Sequence, residues 1–249
     1  MRFKCLDVAF LLIVRFDSID RLENALVVSE FLNNNFETNI YVWEFAAFEN
    51  GIFRRLAPIE IKYSFCYDPN PIFHRTRFLN EMVRSMKERY VSVWDVDVIA
   101  PVSQVIKSVE LLRTGVDFVL PYDGLCYDTS KEIRKLFYEE RDISILLNNT
   151  KYMNELYPPN CVGGAFFANR QTYIDSGLEK ELFYGWGVED GERYRRWSIQ
   201  GQSVERVHGL LFHLTHERGI NSVIPSSESK LTKRRIFRES LTEELWKNT

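Results

Sequence analysis

The chain is poor in cysteine, and none of its four cysteines (Cys5, Cys66, Cys126 and Cys161) forms a CxxC pair. That spacing argues against a structural zinc site and against a disulfide framework, so buried free thiols are expected. Long hydrophobic runs are also missing. The longest apolar stretch near the start is Val8–Val14, well short of the ~20 residues that a bilayer span needs. Lys4 precedes that stretch, but no small-residue cleavage site follows it. Neither a membrane span nor a signal peptide is expected, and a cytoplasmic protein is. Net charge is only −3, which leaves no global field to draw the chain to nucleic acid. Internal repeats and low-complexity segments are absent.

What is present is ordinary for a soluble protein: 249 residues, 45% hydrophobic and 27% charged. One large domain over residues 1–220, followed by a tail over 221–249, is the simplest division. The tail carries Lys230, Lys233, Arg234, Arg235 and Arg238. That stretch is the candidate for peripheral contact with the inner face of a membrane, weighed against a solvated tail helix.

Along the chain, strand-like and helix-like segments alternate. Val8–Val14 reads as a strand buried on both faces. Ser18 caps a helix that ends at Asn33-Asn34-Asn35, and Ile40–Phe45 and Ile59–Tyr63 read as strands. Arg75–Arg89 has one apolar helical face. Tyr90–Trp94 is a strand, Pro101 to about Arg113 a helix stopped by Gly115, and Val116–Leu120 a strand. Tyr122–Asn160 is polar and reads as an irregular insertion with one or two helices. Val162–Ala168, Val204–Val207 and Leu210–Leu214 are expected to complete the sheet, with helices over Gln171–Gly177 and Glu189–Gln200. This alternation predicts an α/β fold with a mostly parallel central sheet flanked by helices, and ligands at the carboxyl ends of its strands.

Four constellations carry chemistry. Trp94-Asp95-Val96-Asp97 ends an apolar strand in two carboxylates, which suit a hard divalent cation. Tyr184-Gly-Trp-Gly-Val-Glu-Asp190 sets glycines around Trp186, so the backbone can approach a ligand against a flat indole. It then puts Glu189 and Asp190 at a helix start, where the dipole favours a charged base. His213-Leu-Thr-His216 places two of only four histidines three apart, and imidazole binds first-row metals. Finally, Arg15 and Asp17 follow the first strand, and His74-Arg75-Thr-Arg77 opens a helix, where an arginine can meet phosphate.

In this order the four constellations resemble the GT-A glycosyltransferases, most closely the β-1,4-galactosyltransferase and chondroitin-polymerase type with a galactosyltransferase C-terminal region. Ile72-Phe-His-Arg-Thr-Arg-Phe-Leu-Asn80 is similar to the helix before the family's metal motif. Trp94-Asp-Val-Asp-Val-Ile-Ala-Pro101 is similar to its Asp-Val-Asp segment, and Val162-Gly-Gly-Ala-Phe-Phe-Ala168 to its glycine strand. Tyr184-Gly-Trp-Gly-Val-Glu-Asp190 resembles the Trp-Gly-Trp-Gly-Gly-Glu-Asp signature, and His213-Leu-Thr-His216-Glu-Arg the downstream metal segment. The resemblance spans roughly residues 7–219.

It implies a GT-A nucleotide-diphospho-sugar transferase fold and an inverting, metal-dependent transfer of a hexose or N-acetylhexosamine. The implied cofactors are Mn2+ (or another divalent cation) and a UDP-sugar donor; the implied acceptor is a glycan or glycolipid. Asp97 would ligate the metal together with His216, and with His213 at a position held by methionine in the animal galactosyltransferases. Asp95 would contact the ribose or a metal-bound water, beside Val96. Arg15, Asp17 and Arg75 would face the nucleotide, with Val14 and Phe73 against the uracil. Trp186 and Gly187 would line the sugar pocket. Asp190 would be the catalytic base, with Glu189 beside it.

Three positions depart from the pattern. Tyr184 replaces the signature's first tryptophan, Val188 one of its glycines, and Val14 the proline of strand one. Donor and acceptor preference therefore stay open. A retaining transferase is the nearest alternative. A sugar-nucleotide nucleotidyltransferase would carry a glycine- and lysine-rich loop after the first strand, and Val14-Arg-Phe-Asp-Ser18 has neither. A non-catalytic sugar-binding protein should lack Asp190 or the metal ligands.

Overall fold

In a computed structural model, residues 2–223 and 226–247 are described. Residues 1, 224, 225, 248 and 249, which fall in the expected domain and tail, lie outside them. β1 (Phe3–Val14) is buried continuously from Val8 onward, which is why its sequence shows an unbroken apolar run rather than alternation. It pairs in parallel with both β2 (Phe36–Ala46) and β4 (Tyr90–Trp94). Between β1 and β2 runs α1 (Ile19–Asn35), capped by the Ser18 hydroxyl accepting from the Arg21 amide. Then follow α2 (Ile52–Leu56) and β3 (Lys62–Tyr67).

The strand expected at Ile59–Tyr63 lies later than its alternation suggested. The Ile61 amide closes a turn onto the Pro58 carbonyl, and Ile59 is 96% exposed. Likewise α3 (Arg75–Ser85) stops short of Arg89, because Met86 is already extended.

The central sheet has seven strands in the order β10-β6-β9-β4-β1-β2-β3. Here β6 is Phe118–Leu120, β9 is Ala165–Asn169 and β10 is Val204–Arg206. Every pairing is parallel except those of β9, which runs antiparallel to β4 and to β6. α4 (Val102–Arg113) packs against this sheet, α7 (Arg170–Asp175) follows β9, and α8 is Glu189–Ile199.

Leu210–Leu214 does not complete the central sheet as expected. β11 (Leu211–His213) joins a second sheet, ordered β5-β11-β7-β8, with β5 at Val98–Ile99, β7 at Cys126–Asp128 and β8 at Asn154–Leu156. The stretch 122–160 supplies two of these strands as well as α5 (Lys131–Glu140) and α6 (Ile143–Asn148), so it is ordered rather than irregular. The last helix, α9 (Ser227–Lys247), packs on α8. Among the described residues, no helix is long and apolar enough to cross a membrane.

Candidate active site and metal centre

The small sheet is what brings distant residues together. After β4 the chain turns tightly: the Val98 amide donates to the Asp95 carbonyl, and the buried Trp94 indole N–H donates to the Val98 carbonyl at 3.0 Å. β5 therefore begins one residue past Asp97, and β11 pairs with it so that His213 faces Val98. The Leu214 amide then donates to the Asp97 carbonyl at 2.7 Å. On its other edge β11 runs parallel to β7, with His213 opposite Asp128.

The side chains converge accordingly. His213 Nε2 lies 3.8 Å from Asp97 Oδ1, and His216 Nε2 lies 3.2 Å from Asp97 Oδ2. Each imidazole spends its other nitrogen on an acceptor. His213 Nδ1 bonds Asp128 Oδ1 at 2.7 Å, and His216 Nδ1 bonds the Glu217 carbonyl at 2.8 Å. Both partners accept, so each ring carries a proton on Nδ1; Nε2 donates to Asp97 while the ring is charged, and a metal ion would take the place of that Nε2 proton. Burial opposes the charge on Asp97, but the His213 charge, the His216 bond and Arg21 outweigh it and hold the carboxyl well below the usual range. One ligand atom from each of Asp97, His213 and His216 lies within 4.8 Å of the others. Ligand atoms around a first-row divalent cation sit about 3–4 Å apart, given ~2.1 Å bonds, and the two imidazole–Asp97 separations of 3.8 and 3.2 Å suit such an ion.

They open onto a cleft of about 440 Å³ at the ends of β1 and β4 and the start of α8. Of the residues singled out from sequence, Val14, Arg15, Phe73, Arg75, Asp95, Val96, Trp186, Gly187, Glu189 and Asp190 line it with Asp97, His213 and His216. Asp17 does not line it. Its carboxylate instead accepts from Arg21 Nε at 2.9 Å. Arg15 lines the cleft but spends its guanidinium on protein acceptors: Asp68, the Asn70 carbonyl and the Phe45 carbonyl, with its carbon 5.3 Å from the Phe73 ring centre. Arg75, the first residue of α3, reaches Asp95 at 2.5 Å.

α8, which also lines the cleft, starts from a loop with positive φ at Gly185, Gly187 and Val188. For valine that conformation is strained, which accounts for the glycine the signature has there. Asp190 Oδ1 accepts from Arg193 at 2.8 Å. A Cβ on Gly163 would stand 2.5 Å from Asp190 Oδ2, so the glycine strand leaves room for this carboxylate. Trp186 faces Tyr157 across 6.5 Å between ring centres.

Glu189 is 5% exposed, and its Oε2 has no hydrogen-bond partner in the structure. Burial, then repulsion from Asp190, push its carboxyl up to about 7 against the pull of Arg75. An acid with a raised folded pKa stabilises the fold below its unfolded pKa, and that contribution is lost as pH rises through the folded value. Glu189→Gln should therefore gain stability relative to the parent on going from pH 5 to pH 8, by about 2 kcal/mol. Denaturant unfolding at the two pH values checks it, and an equal difference at both would refute the buried-acid account.

Three further residues belong here that sequence reasoning missed. Arg21 bridges Asp17, Asp97 Oδ2 (3.3 Å) and the Ser222 hydroxyl (2.7 Å). Asp128 orients His213. Tyr157 lines the cleft. Arg21 belongs to no motif, and Asp128 and Tyr157 fall in the polar stretch that carries no periodicity.

Residues 142–218 match the family model described as the N-terminal domain of galactosyltransferase. No curated protein sequence matches the chain. Among solved structures, a mannosyltransferase from Pyrobaculum calidifontis, in complex with GDP-Man and Mn2+, superposes with a TM-score of 0.55 at 14% identity, covering 86% of this chain. This chain spans 58% of that protein's length. The catalytic domain of Drosophila β-1,4-galactosyltransferase 7, in complex with xylobiose, gives 0.53 at 15% identity, covering 94% of this chain and 80% of that one. Glucosyl-3-phosphoglycerate synthase from Mycobacterium tuberculosis, with Mn2+, UDP and phosphoglyceric acid, gives 0.52 at 15% identity, covering 96% and 78%. The chain thus has the fold of the GT-A glycosyltransferases, and its residues 142–218 are similar to the galactosyltransferase family model.

Proposed function

We propose that this chain is a divalent-cation-dependent glycosyltransferase that moves a hexose or N-acetylhexosamine from a UDP-sugar to a glycan or glycolipid hydroxyl, with inversion. The observation that carries the reading is the meeting of Asp97, His213 and His216 in the cleft that Asp190 also lines. Further support comes from a mutant of the Drosophila galactosyltransferase, which was solved with manganese, UDP-Gal and xylobiose (TM-score 0.53, 15% identity).

Asp97, His213 and His216 would hold Mn2+ or a similar ion, whose charge would offset that developing on the diphosphate leaving group. Val14 and Phe73 offer an apolar wall for the base. Arg75, anchored on Asp95, keeps a cation at the nucleotide side of the cleft. Trp186, with Gly187 beside it, offers a flat face to a sugar. Asp190 Oδ2, free of the Arg193 bond on Oδ1, takes the acceptor proton as the hydroxyl attacks the anomeric carbon, and Glu189 supports that wall of the pocket. A retaining transferase on the same fold would give the opposite anomer, which proton NMR of the product distinguishes.

A thermal-shift panel of sugar nucleotides tests the reading, because ligands of the folded state raise its melting temperature. UDP-sugars should stabilise the protein with Mn2+ present and much less without it. No shift with any sugar nucleotide and Mn2+ would remove the proposal. Asp128→Ala should weaken Mn2+ binding by about 10–100-fold, because His213 loses the partner that fixes its tautomer. Calorimetric titration measures this, and unchanged affinity would strip Asp128 of that role.

A further inference from the structure

The loop that carries Trp186 has carbonyls with no helix or strand to pair with, and α9 supplies their partner. Lys233 is only 4% exposed, and its ammonium donates to the Tyr184 carbonyl at 2.8 Å and the Gly185 carbonyl at 3.1 Å. A buried ammonium is costly unless its protons are spent on acceptors. Burial depresses the Lys233 pKa against the opposing pull of Glu189, and the two carbonyl bonds offset part of that cost.

The helix is anchored independently of Lys233. The Ser240 hydroxyl donates to Glu192 Oε1 at 2.6 Å, and Phe237 lies against Gly191, where a Cβ would be 3.5 Å from the ring. Both contacts are on α8, the helix that begins with Glu189 and Asp190. One anchored helix thus grips the loop and the helix start on either side of Trp186.

We propose that Lys233 is a positioning residue: from α9 it holds the Tyr184 and Gly185 carbonyls and so fixes Trp186, Glu189 and Asp190 against the cleft. The inference rests on the transferase reading of that cleft. The physical reason is that proximity effects are steep, and about 1 Å of misplacement costs about 10²-fold in rate.

Lys233→Met keeps the apolar stem and removes the three donors. It should lower kcat by about 10–100-fold while UDP affinity with Mn2+ stays within a few-fold of the parent's. Lys233→Arg, which keeps a donor cation, should recover part of the rate. Hydrogen exchange of the amides across 184–190 should quicken in Lys233→Met while the central strands stay protected. A kcat within twofold of the parent's, or unchanged exchange across 184–190, overturns the proposal. If Lys233→Met does not fold, the double substitution Phe237→Ala and Ser240→Ala, which loosens α9 from α8, should quicken the same amides; no change there overturns it equally. Absence of any transfer by the parent removes the transferase reading instead, and the exchange arm still decides whether Lys233 holds the loop.

Discussion

Asp97→Asn is expected to abolish Mn2+-dependent binding of UDP, with affinity for the ion falling by more than about 10²-fold. The bound follows from position: loss of a residue that merely orients a ligand costs about 10–100-fold, and Asp97 is the one carboxylate of the trio. Its two oxygens face different partners, Oδ1 toward His213 and Oδ2 toward His216 and Arg21. An amide keeps the shape but presents one oxygen and an NH2 group, so one imidazole meets a donor instead of an acceptor. It also leaves Arg21 beside a neutral group. The substitution should therefore weaken the fold modestly as well as the metal site, and ion affinity must be read below the variant's own unfolding transition. Calorimetric titration of Mn2+ with UDP present is the measurement, and parental affinity would take Asp97 out of the site.

Asp190→Asn separates chemistry from binding. General-base assistance contributes about 10²–10⁴ in rate, and kcat should fall by that much while donor affinity with Mn2+ stays close to the parent's. The expectation rests on where Asp190 sits. It is at the start of α8 and lines the same cleft as the trio, with one oxygen held by Arg193 and the other beside Gly163. Asparagine can still accept from Arg193, so the geometry survives while the proton acceptor does not. A matching loss of donor affinity would assign Asp190 to binding rather than to proton transfer. A kcat within tenfold of the parent's would place the base elsewhere.

The central sheet was legible because its strands are buried on both faces and leave long apolar runs, as in Val8–Val14, and because Ser18, Pro101 and Gly115 mark helix ends by their backbone chemistry. Of the second sheet only β11 was, inside the strand expected at Leu210–Leu214. β5 is two residues long and β7 and β8 three each, too short to show a period of two. Ile59 misled for the opposite reason: its alternation is real, but a turn at Pro58 exposes it. At the site, Asp97, His213, His216 and Asp190 were readable from residue type and from their place at the ends of elements. Arg21, Asp128 and Lys233 were not, since each acts through a partner 76, 85 or 49 residues away along the chain. Arg21 and Asp128 carry no local signature of such a partner, and Lys233 reads as one charge of the tail's basic stretch, from which its burial removes it.

In the proposed enzyme, two imidazoles and one carboxylate share a cation beside the nucleotide cleft. Pulsed electron paramagnetic resonance of the Mn2+-loaded protein tests it most directly, because a directly bound imidazole nitrogen leaves a hyperfine coupling on the manganese. Coupling to two such nitrogens is predicted, reduced to one in either His213→Ala or His216→Ala. A spectrum showing manganese with oxygen ligands alone, unchanged by both substitutions, would contradict it.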